Sequence, residues 1–396
     1  MGNSYLKIIE VKDEVVLYNF TNGMTMQIHK DVYELIKNCI SKSDIMKIAG
    51  TRPDSDNEFF DNLGDVIEKN NIFTDCSSNK IKEISYVLTD KCNLHCKHCC
   101  MSAKTYSKNS NEKIILDPSI IKKIVNFNPS TIILTGGEPL VADNFLDILM
   151  WLKDNYHNQV FLSTNAILID KDNVDCLCKA IDIFDISLDG LTAEKSDKIR
   201  GTGTFDKVIE SIKLLQKAGA KKIRLSNALS AETKDDSALF HKMCKEIGVE
   251  PIIRYMTPTG RAKDNNLCFS DELIKFKGSA HFTPSICGAG VTSITVDSSG
   301  NVYPCNNFIE DEYKIGNVLS DDIQEVINNY RQQKWFKNFS RYLPNYRSEC
   351  KDCEVSQYCW TCPFEIKLLE ESKGIKDLFT ICGKKKQELM KVFDHE

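Results

Sequence analysis

The run Cys92-Asn-Leu-His-Cys96-Lys-His-Cys99 places three cysteines on one short segment, directly after an apolar stretch at 84–88 that is typical of a buried strand. Cysteine thiolates are the usual ligands of iron–sulfur clusters. Three of them leave one iron of a four-iron cluster without a protein ligand, and that iron can bind a substrate or a cofactor. A zinc site is the alternative, with His95 or His98 completing the ligands, but structural zinc usually takes paired CxxC motifs, which this segment lacks.

The composition is that of a soluble globular protein with an excess of cysteine. The chain has 396 residues, 42% hydrophobic and 27% charged, and this length predicts two or three domains. Its net charge of −5 provides no basic field, so we expect no nucleic-acid partner. No apolar run reaches the ~18 residues of a membrane span and no secretory signal is visible, so we expect a cytoplasmic protein without membrane contact. Structural disulfides are rare there, and the 17 cysteines therefore indicate metal or redox chemistry.

The middle of the chain alternates strand-like and helical patterns. Six such β/α repeats predict parallel strands in an open or closed barrel, with the active site at the carboxyl ends of the strands. Because the three-cysteine segment follows the first strand, it belongs to that end. The predicted strands are 85–88, 131–134, 160–162, 184–188, 222–225 and 251–255, and the predicted helices include 145–154, 205–218 and 236–247.

Residues 1–80 have the pattern of a separate module. Strand-like runs at 6–11, 14–20 and 24–28 come first, with the turn signal Thr21-Asn-Gly23 before the third. Two helical patterns follow, and 75–80 has the composition of a linker. Strands followed by helices without alternation favour a small α+β or winged-helix unit. The apolar faces of the two helices comprise Val32, Leu35, Ile36 and Ile40 in the first, and Phe59, Leu63, Val66 and Ile67 in the second.

Two further segments lie at the ends of predicted strands. Thr135-Gly-Gly-Glu-Pro139 follows the second strand, where glycines permit positive φ and close approach of the backbone to a ligand. Ser187-Leu-Asp-Gly190 ends the fourth. Together with the CxxxCxxC spacing, these segments resemble the radical S-adenosylmethionine (radical SAM) superfamily. The resemblance implies a partial (β/α)6 barrel, a [4Fe–4S] cluster on Cys92, Cys96 and Cys99, and SAM on the open iron, cleaved by one electron to methionine and a 5′-deoxyadenosyl radical.

The same resemblance implies which residues contact SAM. The glycines and the carboxylate of the GGEP element receive its amino group, and the segment with Ser187 contacts its ribose and carboxylate. Arg200 opens an Arg-Gly-x-Gly-x-Phe segment, and its planar donor set suits the SAM carboxylate. A tight turn, a helix cap and a solvated arginine are the respective structural alternatives. The family often has an aromatic residue where this chain has His98. The candidate SAM contacts are Gly136, Gly137, Glu138, Ser163, Asn165, Ser187 and Arg200.

A second group of cysteines begins at Cys287, and its spacing resembles the SPASM extension of radical SAM enzymes, which carries two auxiliary [4Fe–4S] clusters. The family pattern implies Cys287, Cys305 and Cys362 for the first auxiliary cluster, and Cys350, Cys353, Cys359 and Cys382 for the second. The fourth position of the first is open or filled by another group, with Cys268 one candidate. The last internal gap is one residue shorter than usual, which leaves the register around Cys362 open. A zinc ribbon is the alternative for residues 350–362.

The first module resembles the PqqD-like peptide-recognition element of enzymes that mature ribosomally made peptides. Such an element binds a leader peptide by strand addition, here at the third strand, 24–28. A structural cap or a DNA-binding winged helix is the alternative, and the acidic run Asp54-Ser-Asp-Asn-Glu58 disfavours the second. The predicted domains are therefore the recognition element at 1–80, the radical SAM barrel at 81–280 and the SPASM domain at 281–396.

The combined resemblance predicts a peptide maturase with three clusters and a flavodoxin or ferredoxin as electron donor. We expect it to install a Cys thioether, of the sactionine or ranthipeptide type, in a ribosomally synthesised precursor peptide. Carbon–carbon or carbon–oxygen crosslinking and epimerisation remain alternatives. A non-enzymatic iron–sulfur electron carrier or binding scaffold is the alternative from another class, and it would need no SAM pocket.

Overall fold

The computed structural model contains three sheets and thirteen α-helices within the residues that it describes. Those residues are 6–19, 24–53, 56–74, 81–107, 112–230, 233, 235–256, 258–267, 287–343, 346–347, 350, 353, 355, 362–373, 382–383, 386–387 and 390. The strands are β1 Leu6–Val11, β2 Glu14–Asn19, β3 Thr25–His29, β4 Glu83–Val87, β5 Lys91–Cys92, β6 Lys104–Thr105, β7 Thr131–Thr135, β8 Gln159–Thr164, β9 Ile183–Ser187, β10 Ile223–Leu229, β11 Glu250–Tyr255, β12 Ser293–Val296, β13 Asn301–Tyr303 and β14 Gly316–Asn317.

The helices connect these strands and follow them towards the C-terminus. They are α1 Lys30–Ile36, α2 Lys42–Ala49, α3 Asn57–Lys69, α4 Pro118–Asn126, α5 Phe145–Asn155, α6 Val174–Ala180, α7 Ala193–Arg200, α8 Thr204–Lys217, α9 Ser237–Ile247, α10 Gly260–Asp264, α11 Ile323–Asn328, α12 Lys334–Ser340 and α13 Pro363–Lys373. In the described part of the chain, none of them is long and apolar enough to cross a membrane.

The largest sheet is built on the six predicted strands. β4, β7, β8, β9, β10 and β11 run parallel and lie side by side in chain order. Each predicted strand overlaps an observed one, which confirms the β/α repeats. Within the described residues β11 does not pair back to β4, so the barrel is partial. The other edge of β4 instead pairs with β12, and β13 and β14 extend the sheet from there.

The two faces of the parallel strands differ in polarity. Because side chains alternate along a strand, residues in register on neighbouring strands share a face. Leu162 and Phe184 are in register and fully buried, as expected for the face of a β/α sheet that its helices cover. Ser163 and Asp185 are in register on the opposite face, where they are half-buried. This polar face lines the inside of the partial barrel.

A turn at residues 297–300 joins β12 to β13. Asp297 Oδ1 accepts hydrogen bonds from the backbone N–H groups of Ser299, at 2.8 Å, and Asn301, at 2.9 Å. Gly300 has a φ of +80°, which a residue with a Cβ rarely adopts. The hairpin brings Cys305 to the end of β13.

The N-terminal strands form a separate antiparallel sheet in the order β1-β2-β3, so β3 is an edge strand, as predicted. The turn signal at 21–23 and the linker at 75–80 lie outside the described residues. One face of the sheet packs on α1, α2 and α3 around Leu17, Ile36 and Phe60.

Two predicted helix faces in this module differ from the structure. Ile40 lies beyond the end of α1 and is exposed. In α3 the buried residues are Phe60, Leu63, Gly64 and Ile67, whereas Phe59 and Val66 are exposed. The reason is Gly64: a Cβ there would lie 2.5 Å from Lys42 Cγ, so the glycine allows α2 to approach α3 closely. A count of apolar residues does not detect a face centred on a glycine.

The chain divides into two compact units. One comprises Lys80–Leu273 and Ala289–Phe336, and the other comprises Met1–Asn79, Ile274–Gly288 and Lys337–Glu396. In the second unit, the outer face of the N-terminal sheet forms an apolar cluster with Val355, and Cys353 packs against that cluster. The N-terminal sheet therefore shares a core with C-terminal residues. The predicted boundaries at 80 and 280 stay a prediction.

Candidate active site

The three-cysteine segment forms a loop beyond the carboxyl end of β4, held by the short pairing of β5 with β6. Cys92 and Cys96 are buried and Cys99 is half-buried. Burial, with smaller contributions from negative charge on Glu138, Cys96 and Cys99, raises the pKa of the Cys92 thiol to about 12, although the hydrogen bond from the N–H of Leu94 opposes the shift. Three mutually repelling, desolvated thiolates are stable only with compensating positive charge, which a metal cluster supplies.

Two of these sulfurs accept backbone hydrogen bonds that would stabilise their thiolate forms. The N–H of Leu94 donates to Cys92 Sγ at 3.4 Å, and the N–H of Ala103 donates to Cys99 Sγ at 3.4 Å. Hydrogen bonds to ligand sulfurs stabilise thiolates and tune iron–sulfur clusters. Within the described residues, no three His, Cys, Asp or Glu side chains converge on one ion. A four-iron cluster does not require convergence, because each thiolate binds a separate iron.

The glycines of the GGEP segment pack against the chain that leads into this loop. Gly136 has a φ of +145°, and a Cβ there would lie 2.6 Å from the carbonyl oxygen of Thr89. A Cβ on Gly137 would overlap the carbonyl of Lys91. The N–H groups of Gly137 and Glu138 donate to these same carbonyls, at 2.8 and 2.9 Å. The glycines thus serve a close backbone packing, and a contact with SAM stays a prediction for them.

Glu138 is completely buried, and its carboxylate connects two strand ends. It accepts hydrogen bonds from Thr164 Oγ1 and from the N–H of Asn165, both at 2.8 Å, and from the N–H of Leu140 at 3.2 Å. Burial raises the pKa of Glu138 to about 7, although these hydrogen bonds and the charge of Arg200 oppose that shift. Near neutral pH the side chain of Glu138 therefore populates both its protonated and its ionised form.

Asn165 links Glu138 to the cysteine loop. Its Nδ2 donates to Asn93 Oδ1 at 2.8 Å and lies 3.7 Å from Cys92 Sγ. Asn165 is one of the candidate SAM contacts, chosen for its place after the third strand, and that role stays a prediction. The sequence does not identify Asn93 and Thr164 as members of this hydrogen-bond network, because nothing in their local sequence distinguishes them from ordinary loop and strand residues.

Arg200, at the end of α7, is buried and paired with the buried carboxylate of Asp189 at 2.5 Å. His98 Nε2 also lies 3.0 Å from the Asp189 carboxylate, and the N–H of Ala228 donates a hydrogen bond to that carboxylate at 2.6 Å. Burial alone would raise the pKa of Asp189, but Arg200 and His98 outweigh it and hold this pKa well below its usual range. The Cys96 thiol lies 3.8 Å from the carbonyl oxygen of Arg200, so the pair adjoins the cysteine loop.

Two buried nitrogens of this network have no hydrogen-bond partner within the described residues. They are Nδ1 of His98 and Nε of Arg200. An unsatisfied buried donor or acceptor costs ~1–3 kcal/mol, so such atoms are usually paired with a bound group. A ligand with oxygen acceptors next to the cysteine loop would satisfy Arg200 Nε, and the carboxylate of SAM has that chemistry.

Ser163 and Ser187 lie on the polar inner face of the barrel. Ser187 is in register with Ser226 on β10, and Ser163 with Asp185 on β9. Both serines are half-buried. They lie at the carboxyl ends of neighbouring strands, on the side where the cysteine loop follows β4.

The inner face also carries a charged group that the sequence did not reveal. Arg254 Nη2 donates to Asp185 Oδ2 at 2.6 Å, and Ser226 donates to the other carboxylate oxygen. The three residues come from three adjacent strands, β9, β10 and β11. Arg254 is 53% exposed and Asp185 14% exposed, so the pair faces the barrel interior rather than the core under the helices.

The later cysteines fall in both compact units. Cys305 belongs to the unit with the barrel, and Cys287, Cys350, Cys353, Cys362 and Cys382 belong to the other. Burial raises the pKa of the Cys362 thiol, and negative charge on Glu365 and, to a smaller extent, on Cys287 adds to the effect. Cys359 and Cys268 lie outside the described residues. The assignment of the auxiliary ligands stays a prediction.

Comparison with known proteins agrees with this geometry. Residues 86–242 match the model of the Radical SAM superfamily, and residues 287–354 match that of SPASM, an iron–sulfur cluster-binding domain. The chain is a radical SAM enzyme with a SPASM region. Its cofactors are SAM and [4Fe–4S] clusters, including auxiliary clusters of the SPASM region. The first matched region contains the three-cysteine segment. The second contains Cys287, Cys305, Cys350 and Cys353, and ends before the other predicted auxiliary ligands, Cys359, Cys362 and Cys382.

Individual relatives extend the likeness beyond the barrel. The mycofactocin maturase MftC of Mycobacterium tuberculosis (strain CDC 1551 / Oshkosh) is 29% identical over 269 residues, which cover 60% of this chain and 68% of MftC. The crystal structure of Streptococcus suis SuiB bound to S-adenosylmethionine superposes with a TM-score of 0.57 at 17% identity, covering 94% of this chain and 97% of SuiB. SuiB bound to the precursor peptide SuiA gives a TM-score of 0.56 at 14% identity, covering 93% and 98%. At these identities SuiB shows that the fold is shared.

Proposed function

We propose that this radical SAM enzyme is a maturase that crosslinks a ribosomally synthesised precursor peptide. The observation that carries the proposal is the edge strand β3 of a small N-terminal sheet on a radical SAM/SPASM chain. An edge strand can pair with an extended peptide by strand addition. The kinship with MftC, a maturase, and the fold shared with SuiB, which was solved with a precursor peptide, support this choice.

Residues 1–80 would hold the leader along the outer edge of β3. Lys30 N donates to Asp13 O on the β2 side, and N–H directions alternate along a strand. By this alternation the N–H groups of Thr25 and Gln27 point away from β2. Gln27 lies in the middle of β3 and would donate to the leader backbone.

The residues that would hold SAM and its cluster surround the loop. Cys92, Cys96 and Cys99 provide the thiolates, and their burial and N–H···S bonds support that role. The buried Arg200, fixed by Asp189, would receive the SAM carboxylate at its unpartnered Nε. Ser163 and Ser187 would contact the ribose from the strand ends. Bound together, SAM and the reduced cluster supply a 5′-deoxyadenosyl radical that removes a hydrogen atom from the peptide.

The inside of the barrel would receive the core peptide. Asp185 and Arg254 present an acceptor and donors on the same face as Ser163 and Ser187. A neutral peptide amide has one donor and one acceptor, so it can bind both groups without separating their charges. An added carboxylate or ammonium would compete with one partner for the other.

Within this function we propose a Cys thioether as the product. The three cysteines assigned to the first auxiliary cluster, Cys287, Cys305 and Cys362, would leave one iron free to bind a substrate thiolate. The electrostatic effect of Cys287 on the Cys362 thiol supports grouping these two. Forming the C–S bond removes a hydrogen atom from carbon, which enters 5′-deoxyadenosine, and a proton from the thiol. The remaining electron needs a one-electron acceptor, and iron–sulfur clusters are of that class. A flavodoxin or ferredoxin would supply the electrons for SAM cleavage.

The test is to incubate the anaerobically reconstituted enzyme with SAM, a reductant and the precursor peptide encoded beside it. We expect a peptide lighter by two hydrogen atoms, with one cysteine protected from alkylation for each crosslink. A peptide of unchanged mass would contradict crosslinking. A lighter peptide whose cysteines all remain alkylatable would leave the maturase intact but exclude the thioether.

A further inference from the structure

The short helix α10 packs directly on the back of the three-cysteine loop. Gly260 begins this helix with a φ of +49°, and a Cβ there would lie 2.5 Å from the carbonyl oxygens of both Cys99 and Cys100. Any side chain at 260 would therefore push the helix away from the loop. The close approach brings the next residue, Arg261, into contact with the loop backbone.

Arg261 makes three hydrogen bonds to backbone carbonyls of the loop. Its N–H donates to Cys99 O at 3.1 Å, its Nε to Cys96 O at 2.8 Å and its Nη1 to Ala103 O at 2.9 Å. Asn265, one turn later, donates to Lys97 O at 2.9 Å. One helix thus fixes both later cysteines and the residue that donates to Cys99 Sγ.

The charge of Arg261 has no carboxylate partner in the described part of the chain. The ion pairs of this region involve other cations, such as Arg200 with Asp189 and Lys104 with Asp90. The guanidinium of Arg261 instead lies against the loop, where it donates to Cys96 O and Ala103 O. A half-buried guanidinium without a counterion, beside three thiols, matches an anionic group bound to those thiols.

We propose that Arg261 is a positioning residue that holds the three-cysteine loop in its cluster-binding form and raises the reduction potential of the cluster bound there. The guanidinium fork fixes the geometry through Cys96 O and Ala103 O. The positive charge favours the reduced state of the cluster, because potentials follow the net charge and hydrogen bonding around it. This inference rests on the proposed function only in assigning a SAM-binding cluster to Cys92, Cys96 and Cys99.

The experiment compares three variants of the full chain after anaerobic reconstitution. Arg261→Gln removes the charge and part of the fork, and Arg261→Lys keeps the charge but cannot form all side-chain bonds. Lys263→Gln is the matched control, because Lys263 is an exposed cation on the same helix. The readouts are iron per chain, the change in the electron paramagnetic resonance spectrum on adding SAM, and a redox titration of that SAM-responsive signal.

We expect Arg261→Gln to lower both the SAM-responsive signal and its reduction potential, while the SAM-insensitive clusters keep their iron. Arg261→Lys should lower the amount of that signal but leave its potential close to that of the wild type. Lys263→Gln should match the wild type in all three readouts. Wild-type signal and potential in both Arg261 variants would overturn the inference.

If Arg261→Gln does not fold, the test rests on Arg261→Lys. A SAM-responsive signal as large as that of the wild type in this variant would overturn the positioning role. A failure of the proposed function is distinguishable from a failure of this inference. A wild-type enzyme without a SAM-responsive cluster would refute the first, whereas a responsive wild type with equally responsive Arg261 variants would refute only the second.

Discussion

The guanidinium of Arg200 lies 2.5 Å from the carboxylate of Asp189, and both side chains are buried beside the cysteine loop. Removing one partner of a buried pair leaves an uncompensated charge and typically costs ~3–5 kcal/mol, whereas replacing both by apolar residues is often tolerated. We expect Asp189→Leu and Arg200→Met each to lower the free energy of unfolding by about that amount, and the double variant to recover most of it. Denaturant unfolding measures this.

SAM cleavage separates a structural from a functional role for the same pair. The folded double variant should form no 5′-deoxyadenosine, because the SAM carboxylate would lose its guanidinium. If a stable double variant formed 5′-deoxyadenosine at the wild-type rate, the pair would have a structural role only and would not bind SAM.

Glu138 predicts a specific pH dependence of stability. Its pKa is raised to about 7 by burial, so between about pH 5 and about pH 7 the folded state keeps a proton that the unfolded state has lost. Stability therefore falls as the pH rises through this window, by on the order of 3 kcal/mol at about 1.4 kcal/mol per pKa unit. We expect Glu138→Gln to lack this part of the slope when unfolding is followed at a series of pH values. Equal slopes in the two proteins would contradict a raised pKa.

The edge of β3 is tested by removing a single N–H group. Gln27→Pro removes an outward-pointing donor, and proline is tolerated on edge strands where the missing N–H faces outward. We expect weaker binding of the precursor peptide by isothermal titration, by about tenfold for a loss of about 1.4 kcal/mol. Gln27→Ala keeps the N–H and should bind as the wild type does. Equal loss in both variants would point to the side chain and against strand addition.

The charged pair inside the barrel separates peptide binding from SAM cleavage. Asp185→Asn keeps an acceptor for Ser226 but removes the charge opposite Arg254. We expect 5′-deoxyadenosine formation without peptide to stay unchanged, and peptide product per 5′-deoxyadenosine to fall. Glu250→Gln is the control, because it removes a carboxylate charge from the same sheet that pairs with Lys222 and Arg224 rather than with Arg254. A coupling ratio unaffected by Asp185→Asn would exclude a role in the core-peptide site.

The sequence predicted what depends on local pattern. Apolar runs bounded by turns located all six barrel strands, and fixed spacings located the cysteine loop and the GGEP segment. The partners of those segments could not be predicted, because they are distant in the chain. His98 and Asp189 are 91 positions apart, and Arg261 meets the carbonyl of Cys96 from 165 positions away. Neither contact has a signature in the residues around it.

Glycines account for a further part of what pattern analysis misses. Gly64 centres the buried face of α3, and Gly260 admits α10 to the loop. In both cases the glycine matters because a neighbouring segment occupies the space that a side chain would fill. The sequence does not show which segment that is. A turn signal such as residues 297–300 is easier to predict, because its constraint is local.

The most direct test of the central claim is SAM cleavage by the reconstituted, reduced protein, measured as 5′-deoxyadenosine. The wild type should form it, and a variant with alanine at Cys92, Cys96 and Cys99 should not, while keeping most of the iron bound by the later cysteines. Absence of 5′-deoxyadenosine from the wild type, or its undiminished formation by the triple variant, would contradict the assignment of the radical chemistry to this loop.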